Sequence, residues 1–97
     1  MGRQSKHSQN LRRSAGGYKS KGYHVEADIP GYRRPPLLKV DGKSVRPDII
    51  AYKGKRTRKI VEIETPESFD KDKEQRRLLR KYARSHAYTT FRTTTTD

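Results

Sequence analysis

The apolar residues of the chain fall into a few short, patterned runs separated by long polar stretches. In "GYHVEADIPG", residues 22–31, Tyr23, Val25, Ala27 and Ile29 alternate with His24, Glu26 and Asp28. Such alternation predicts a strand with one buried face, closed by Pro30 and Gly31. "PDIIAY" (47–52) predicts a second strand and "GKR" (54–56) its turn. "KIVEIET" (59–65), rich in β-branched residues, predicts a third strand, which Pro66 ends. Ser68 or Asp70 then caps a helix running to about Ser85, with Leu78, Leu79, Tyr82 and Ala83 facing inward. "AYTTFRTTTT" (87–96) predicts a last strand, with "RTTTTD" as its frayed end. Upstream of the first strand, His7, Leu11, Ala15 and Tyr18 recur at helical spacing and predict a helix over about 5–15. It is expected to end near Gly16 and Gly17, each costing about 1 kcal/mol relative to Ala. Residues 1–4 read as a disordered end. Residues 31–45 read as a long irregular connection, with a short extended piece at Leu37, Leu38 and Val40.

A helix between the third and fourth strands predicts a parallel crossover, and the short turn between the second and third predicts a hairpin. The expected class is α/β, a mixed four-stranded sheet with flanking helices in the order α-β-β-β-α-β, as a single domain over 1–97. At 29% hydrophobic residues in 97, the core must be thin. The chain has no cysteine, so neither a disulfide framework nor a thiolate metal site is expected. With histidines only at 7, 24 and 86, a structural zinc site is not expected either. No run approaches the roughly 20 apolar residues of a membrane span, and no apolar segment of a signal peptide follows the start. A soluble, cytoplasmic protein with no membrane partner is the expectation.

Charge changes the picture most. Against 24 Lys and Arg stand 11 Asp and Glu, a net charge of +13. So much charge of one sign attracts polyanions, with affinity that falls as salt rises, and makes nucleic acid the first candidate partner. The plainer alternative is charge kept for solubility alone. Lys71, Lys73, Arg76, Arg77, Arg80, Lys81 and Arg84 crowd the second helix, and some must face solvent, where they could contact phosphates. A solvated face with early acids suiting the helix dipole is the competing reading. Arg33 and Arg34 lie in the loop before the second strand and Lys53 at its end, as further phosphate contacts. Tyr32 could stack on a base or serve the loop structurally. The polar N-terminal segment, with Arg3, Lys6, Arg12, Arg13, Lys19 and Lys21, could equally be an arm that orders on DNA.

Within this basic chain, Asp48, Glu62 and Glu64 sit in or beside the two central apolar runs. On a strand Glu62 and Glu64 point one way, Val61 and Ile63 the other. In an antiparallel pair the start of one strand lies beside the end of the next, so the three acids are expected to converge at one sheet end. Close, buried carboxylates repel and resist ionisation. Either a divalent cation such as Mg²⁺ or basic neighbours among Arg46, Lys53, Lys55, Arg56, Arg58 and Lys59 must offset that.

Pro47-Asp48 followed by Glu62-Ile63-Glu64 resembles the signature of the PD-(D/E)XK nuclease superfamily, which has a restriction-endonuclease-like core. Among its members the chain is most similar to small Holliday-junction-resolvase-like and Mrr-like domains. The resemblance covers about residues 5 to 94. It implies hydrolysis of DNA phosphodiester bonds, with Asp48 and Glu62 holding one or two Mg²⁺ or Mn²⁺, the Ile63 carbonyl as a further ligand, and Glu64 orienting or deprotonating the attacking water or binding a second metal. Glu64 stands where the superfamily usually has Lys, and the first helix lacks the acid that several members carry there. His7 in that helix, Glu26 on the first strand and Gln75 early in the second helix are the other residues that could complete the site. A homodimer would suit an enzyme that cuts a duplex. Two alternatives remain beside this expectation: a non-catalytic nucleic-acid-binding module on the same fold, and a small basic RNA-associated protein whose acids are paired by Arg and Lys.

Overall fold

The structure of the protein is a computed structural model that describes residues 6–95. In chain order it runs α1 (Lys6–Ser20), β1 (His24–Ala27), β2 (Leu38–Val40), β3 (Lys43–Val45), β4 (Ile49–Lys53), β5 (Thr57–Glu64), α2 (Pro66–Phe69), α3 (Lys73–Ser85) and β6 (Thr89–Thr95). Four strands form one mixed sheet in the order β1-β4-β5-β6. β1 and β5 run antiparallel to β4, and β6 runs parallel to β5. The α/β class, the mixed four-stranded sheet and its flanking helices are therefore as expected. The expected disordered end and the first residue of the expected helix lie outside the described residues.

Side-chain alternation sorts the sheet into two cores. Val25, Ala27, Ile49, Ala51, Val61 and Ile63 face α1 and pack on Leu11 and Ala15. Ile50 and Ile60 face the other way, against Leu78 and Leu79 of α3. Both central strands are thus buried on both faces, which is why they read as near-continuous apolar runs.

Three local differences from the sequence reading have physical causes. α1 continues through Gly16 and Gly17 to Ser20, because burial of Ala15 and packing of Tyr18 outweigh the weak propensity of two glycines. Its stop is Gly22, at φ +92°. The Gly22 amide donates to the Lys19 carbonyl (3.0 Å) and the Tyr23 amide to the Tyr18 carbonyl (3.1 Å), the paired bonds of a Schellman cap. A DNA-ordered arm is thereby replaced, over its described part, by a packed helix. The connection over 31–45 contains a two-stranded hairpin, β2–β3. Asp41 and Gly42, at φ 53° and 76°, make the two-residue turn that needs positive φ at both positions. Leu38, Val40 and Val45 lay this hairpin on the α3 core. Finally, the helix after β5 is divided. Thr65 caps α2, with its hydroxyl accepting from the Ser68 amide (3.2 Å) while the Ser68 hydroxyl accepts from the Thr65 amide (3.0 Å).

An added Cβ at Gly16 or Gly17 meets nothing within 4 Å, and both lie inside a helix. Gly16→Ala and Gly17→Ala are each expected to raise stability by about 0.5–1 kcal/mol, read as a higher midpoint in urea unfolding.

Candidate functional site

Pro47 ends the extended approach to β4, and Asp48 is the residue just before that strand. Because Ile49 pairs with Val61, Asp48 comes to lie beside Glu62. The two residues clasp each other's strand. The Asp48 amide donates to Glu62 Oε2 at 2.7 Å, and the Ile63 amide donates to Asp48 Oδ2 at 2.8 Å. Two further side chains complete the arrangement. Gln75 Nε2 donates to Glu62 Oε1 at 2.6 Å and to the Arg46 carbonyl at 3.3 Å. His7 Nε2, from the first turn of α1, lies 3.3 Å from Asp48 Oδ2.

Both carboxyls resist ionisation. Glu62 is 1% exposed. Burial first, and the neighbouring Asp48 charge second, push its pKa up to about 8, against the opposing hydrogen bonds from the Asp48 amide and Gln75. Burial also raises Asp48, while the Ile63 amide and His7 pull it down. Among the described residues, neither carboxylate has an Arg or Lys ion-pair partner. The basic neighbours expected to offset these two acids do not do so.

Glu64 has a different fate. It shares the α3 face of β5 with Glu62 but is fully buried under α2 and the start of α3. Ser68 Oγ donates to Glu64 Oε1 at 2.7 Å, and Arg76 Nη1 lies 3.4 Å from Oε2. That separation is an ion pair without a hydrogen bond, since Glu64 Oε2 and Arg76 Nη1 are both buried with no hydrogen-bond partner. The guanidinium also stacks on Phe69, 3.9 Å from the ring centre. Burial, with the Asp72 charge nearby, still raises the Glu64 carboxyl; Ser68 and Arg76 act against that.

The structure therefore brings together Asp48, Glu62, the Ile63 amide, His7 and Gln75, and ties Glu64 elsewhere. Glu26 is also elsewhere: it accepts from the Tyr52 hydroxyl at 2.9 Å, farther along the sheet. Arg76, expected as a phosphate contact, is 7% exposed and turned inward, because its position on α3 shares the inner face with Leu79 and Ala83. Arg33, Arg34, Lys53 and Arg80 are exposed, with Arg34 paired to Asp28 at 3.2 Å and Arg80 over the Phe91 ring. Tyr32 packs against the α1 core. Ser68 is the contributor that sequence reasoning placed only as a helix cap; its Thr65–Ser68 capping pattern was the visible signal.

Among the described residues, no group of three or more His, Asp and Glu side chains is arranged to hold a metal ion. The donor chemistry nevertheless suits Mg²⁺, which is commonly bound by only one or two carboxylates and keeps several waters. Asp48 and Glu62 are hard oxygen donors, adjacent, and short of positive charge.

Two outcomes follow. The folded protein retains a proton on Glu62 up to about pH 8 that the unfolded chain releases near the ordinary glutamate value of 4.5. Its contribution to stability is thus complete at low pH and is lost as pH rises through that window. Melting curves of Glu62→Gln against the native chain are expected to show a smaller fall in stability between pH 5 and 8. In Arg76→Ala, Glu64 is left buried without its cation, and a loss of about 3–5 kcal/mol is expected in denaturant unfolding. No family model, curated protein or solved structure matches this chain, so the site stands on its own geometry.

Proposed function

We propose that the protein is a metal-dependent nuclease that hydrolyses DNA phosphodiester bonds, with Asp48 and Glu62 as the metal-holding pair. The observation that carries this reading is the clasped, largely buried carboxyl pair with no Arg or Lys partner among the described residues, at one end of the sheet of a strongly cationic protein. Building two adjacent acids into a site that raises their pKa is costly, and binding a cation is a use that offsets the cost. The resemblance of Pro47-Asp48 and Glu62-Ile63-Glu64 to the PD-(D/E)XK signature, on a mixed four-stranded sheet with flanking helices, supports the same reading.

When bound, Mg²⁺ or Mn²⁺ would supply Lewis acidity toward the phosphate and a water of lowered pKa. The chain's own residues have distinct tasks. Asp48 and Glu62 would hold the cation, with the Ile63 carbonyl as a further oxygen. The Ile63 amide and Gln75 fix the orientation of the two carboxyls. His7, partly open to solvent beside Asp48, is the group placed to hold or move a proton. Glu64 anchors α2 and α3 behind the pair through Ser68 and Arg76.

A second reading, a nucleic-acid-binding module without cleavage, is favoured by one observation. Glu64 occupies the position where the resembled superfamily carries Lys, and it is neutralised by Arg76 rather than turned to a substrate. The two readings part in one experiment. Incubation of labelled linear, branched and single-stranded DNA with Mg²⁺ or Mn²⁺ is expected to give cleavage that falls at least a hundredfold in Glu62→Gln, a size typical for loss of a central electrostatic group. The same cations are expected to raise the melting temperature of the native chain and not of Glu62→Gln, by mass action on the folded state. DNA binding with neither effect would establish the binding module instead.

A further inference from the structure

The far end of the sheet from the acid pair has the opposite character. The turn joining β4 to β5 reads Lys53-Gly54-Lys55-Arg56-Thr57, and Arg58 and Lys59 follow it. None of these five cations takes part in an ion pair among the described residues. Arg34, Lys43, Arg77 and Lys81 each have a carboxylate, whereas Arg33, Lys73 and Arg84 take part in no ion pair among the described residues either, so what sets the turn apart is the clustering of its cations and the aromatic rings beside them. Four of the five lie against aromatic rings. The Lys53 and Lys59 ammonium groups are 5.0 and 5.5 Å from the Tyr23 ring centre, and the Arg56 guanidinium is 5.5 Å from that of Tyr88.

Tyr88 itself is the independent observation. It is 62% exposed and sits at φ +58°, in the left-handed region that a bulky side chain rarely adopts. Its carbonyl accepts from the Arg58 amide at 2.9 Å, which holds that backbone where it is at the start of the β5–β6 ladder. Burial does not account for a large aromatic ring at a strained, open position. Strained positions of this kind concentrate where a side chain is presented for contact.

We propose that this end of the molecule is a binding surface for an unpaired DNA strand, in which Tyr88 stacks on a base while Lys53, Lys55 and Arg56 neutralise the flanking phosphates. Aromatic faces set beside unpartnered cations are the chemistry of single-strand recognition, because every base has a π face and every link a phosphate. A duplex hides its base faces and would use only the cations. Arg58 stands four residues from Glu62 on β5, about 13 Å along the strand, so this surface is separate from the acid pair. Only the choice of DNA over RNA rests on the proposed nuclease reading.

The test is fluorescence anisotropy in EDTA, where no metal-dependent cleavage intervenes, with labelled oligothymidine, a duplex of equal length and oligouridine as probes. Tyr88→Gly removes the ring and suits the positive φ, so its melting temperature is expected to be equal to or above that of the native chain. Oligothymidine affinity is expected to fall about tenfold in Tyr88→Gly, with duplex affinity within about twofold. Replacing Lys53, Lys55 and Arg56 by Ser together is expected to reduce the single-strand salt dependence by about 2, from three lost phosphate contacts at about 0.7 each. Unchanged oligothymidine affinity in Tyr88→Gly, equal losses on single strand and duplex, or no binding by the native chain would each overturn the proposal. Tighter binding of oligouridine would overturn its assignment to DNA. Because the readout is binding without metal, it can succeed where cleavage fails, and the reverse.

Discussion

The reciprocal clasp between Asp48 and the end of β5 is the constraint on which the site depends. One backbone amide and one carboxylate are exchanged in each direction: Asp48 gives its amide to Glu62 and receives the amide of Ile63. Any shift of register by one residue would turn the buried set of β5 to the wrong face. The hydrophobic pairing of Ile49 with Val61 and Ile50 with Ile60 thus fixes where the carboxyls meet. The same bonds that orient the pair also hold two acids in a place where both are reluctant to ionise. Gln75 adds to this as a neutral donor to Glu62 Oε1.

Two glutamates on one face of one strand end in different chemistry because of what covers them. Glu62 lies under Gln75, near the sheet end, with Asp48 beside it. Glu64 lies under the α2 turn and the inward-facing Arg76. A buried ion pair of this kind adds little net stability, since desolvation takes back most of the attraction. Its effect is to tie the short capped helix, the start of α3 and the acid-pair end of β5 into one unit. The separation of roles follows from the division of the helix after Thr65, and a single continuous helix would not place Ser68 and Arg76 on the same carboxylate.

Charge is distributed along the sheet rather than evenly over the surface. At one end Asp48 and Glu62 have no Arg or Lys partner among the described residues, and at the other the cations of the β4–β5 turn have no carboxylate. The flank formed by α3 and the β2–β3 hairpin is ordinary by comparison, with Lys43–Glu74, Arg77–Glu74 and Lys81–Asp41 pairs that are exposed and worth little individually. A polyanion approaching this molecule meets three paired contacts on that flank and a cluster of cations without ion pairs among the described residues at the β4–β5 turn. Both proposals made for the protein draw on that asymmetry.

Much of this was legible along the chain. Period-two alternation and β-branched runs identified the four sheet strands, and the helix between the last two required a parallel pair, because the strand-helix-strand connection leaves little choice. The adjacency of Asp48 and Glu62 followed from a short hairpin alone. The Asp41-Gly42 turn carries a readable signal, but its flanking strands, only three residues each, are too short to show a period-two pattern. What the sequence could not decide was which neighbour each buried acid would meet. That depends on helix packing across the sheet, where α3 could turn any of several basic residues inward and selected Arg76, and where α1 carried His7 across 41 positions to Asp48. Local pattern determines which residues become strands and helices, since it reflects backbone geometry and burial. The pairing of charges is a long-range outcome, and only the tertiary structure decided it.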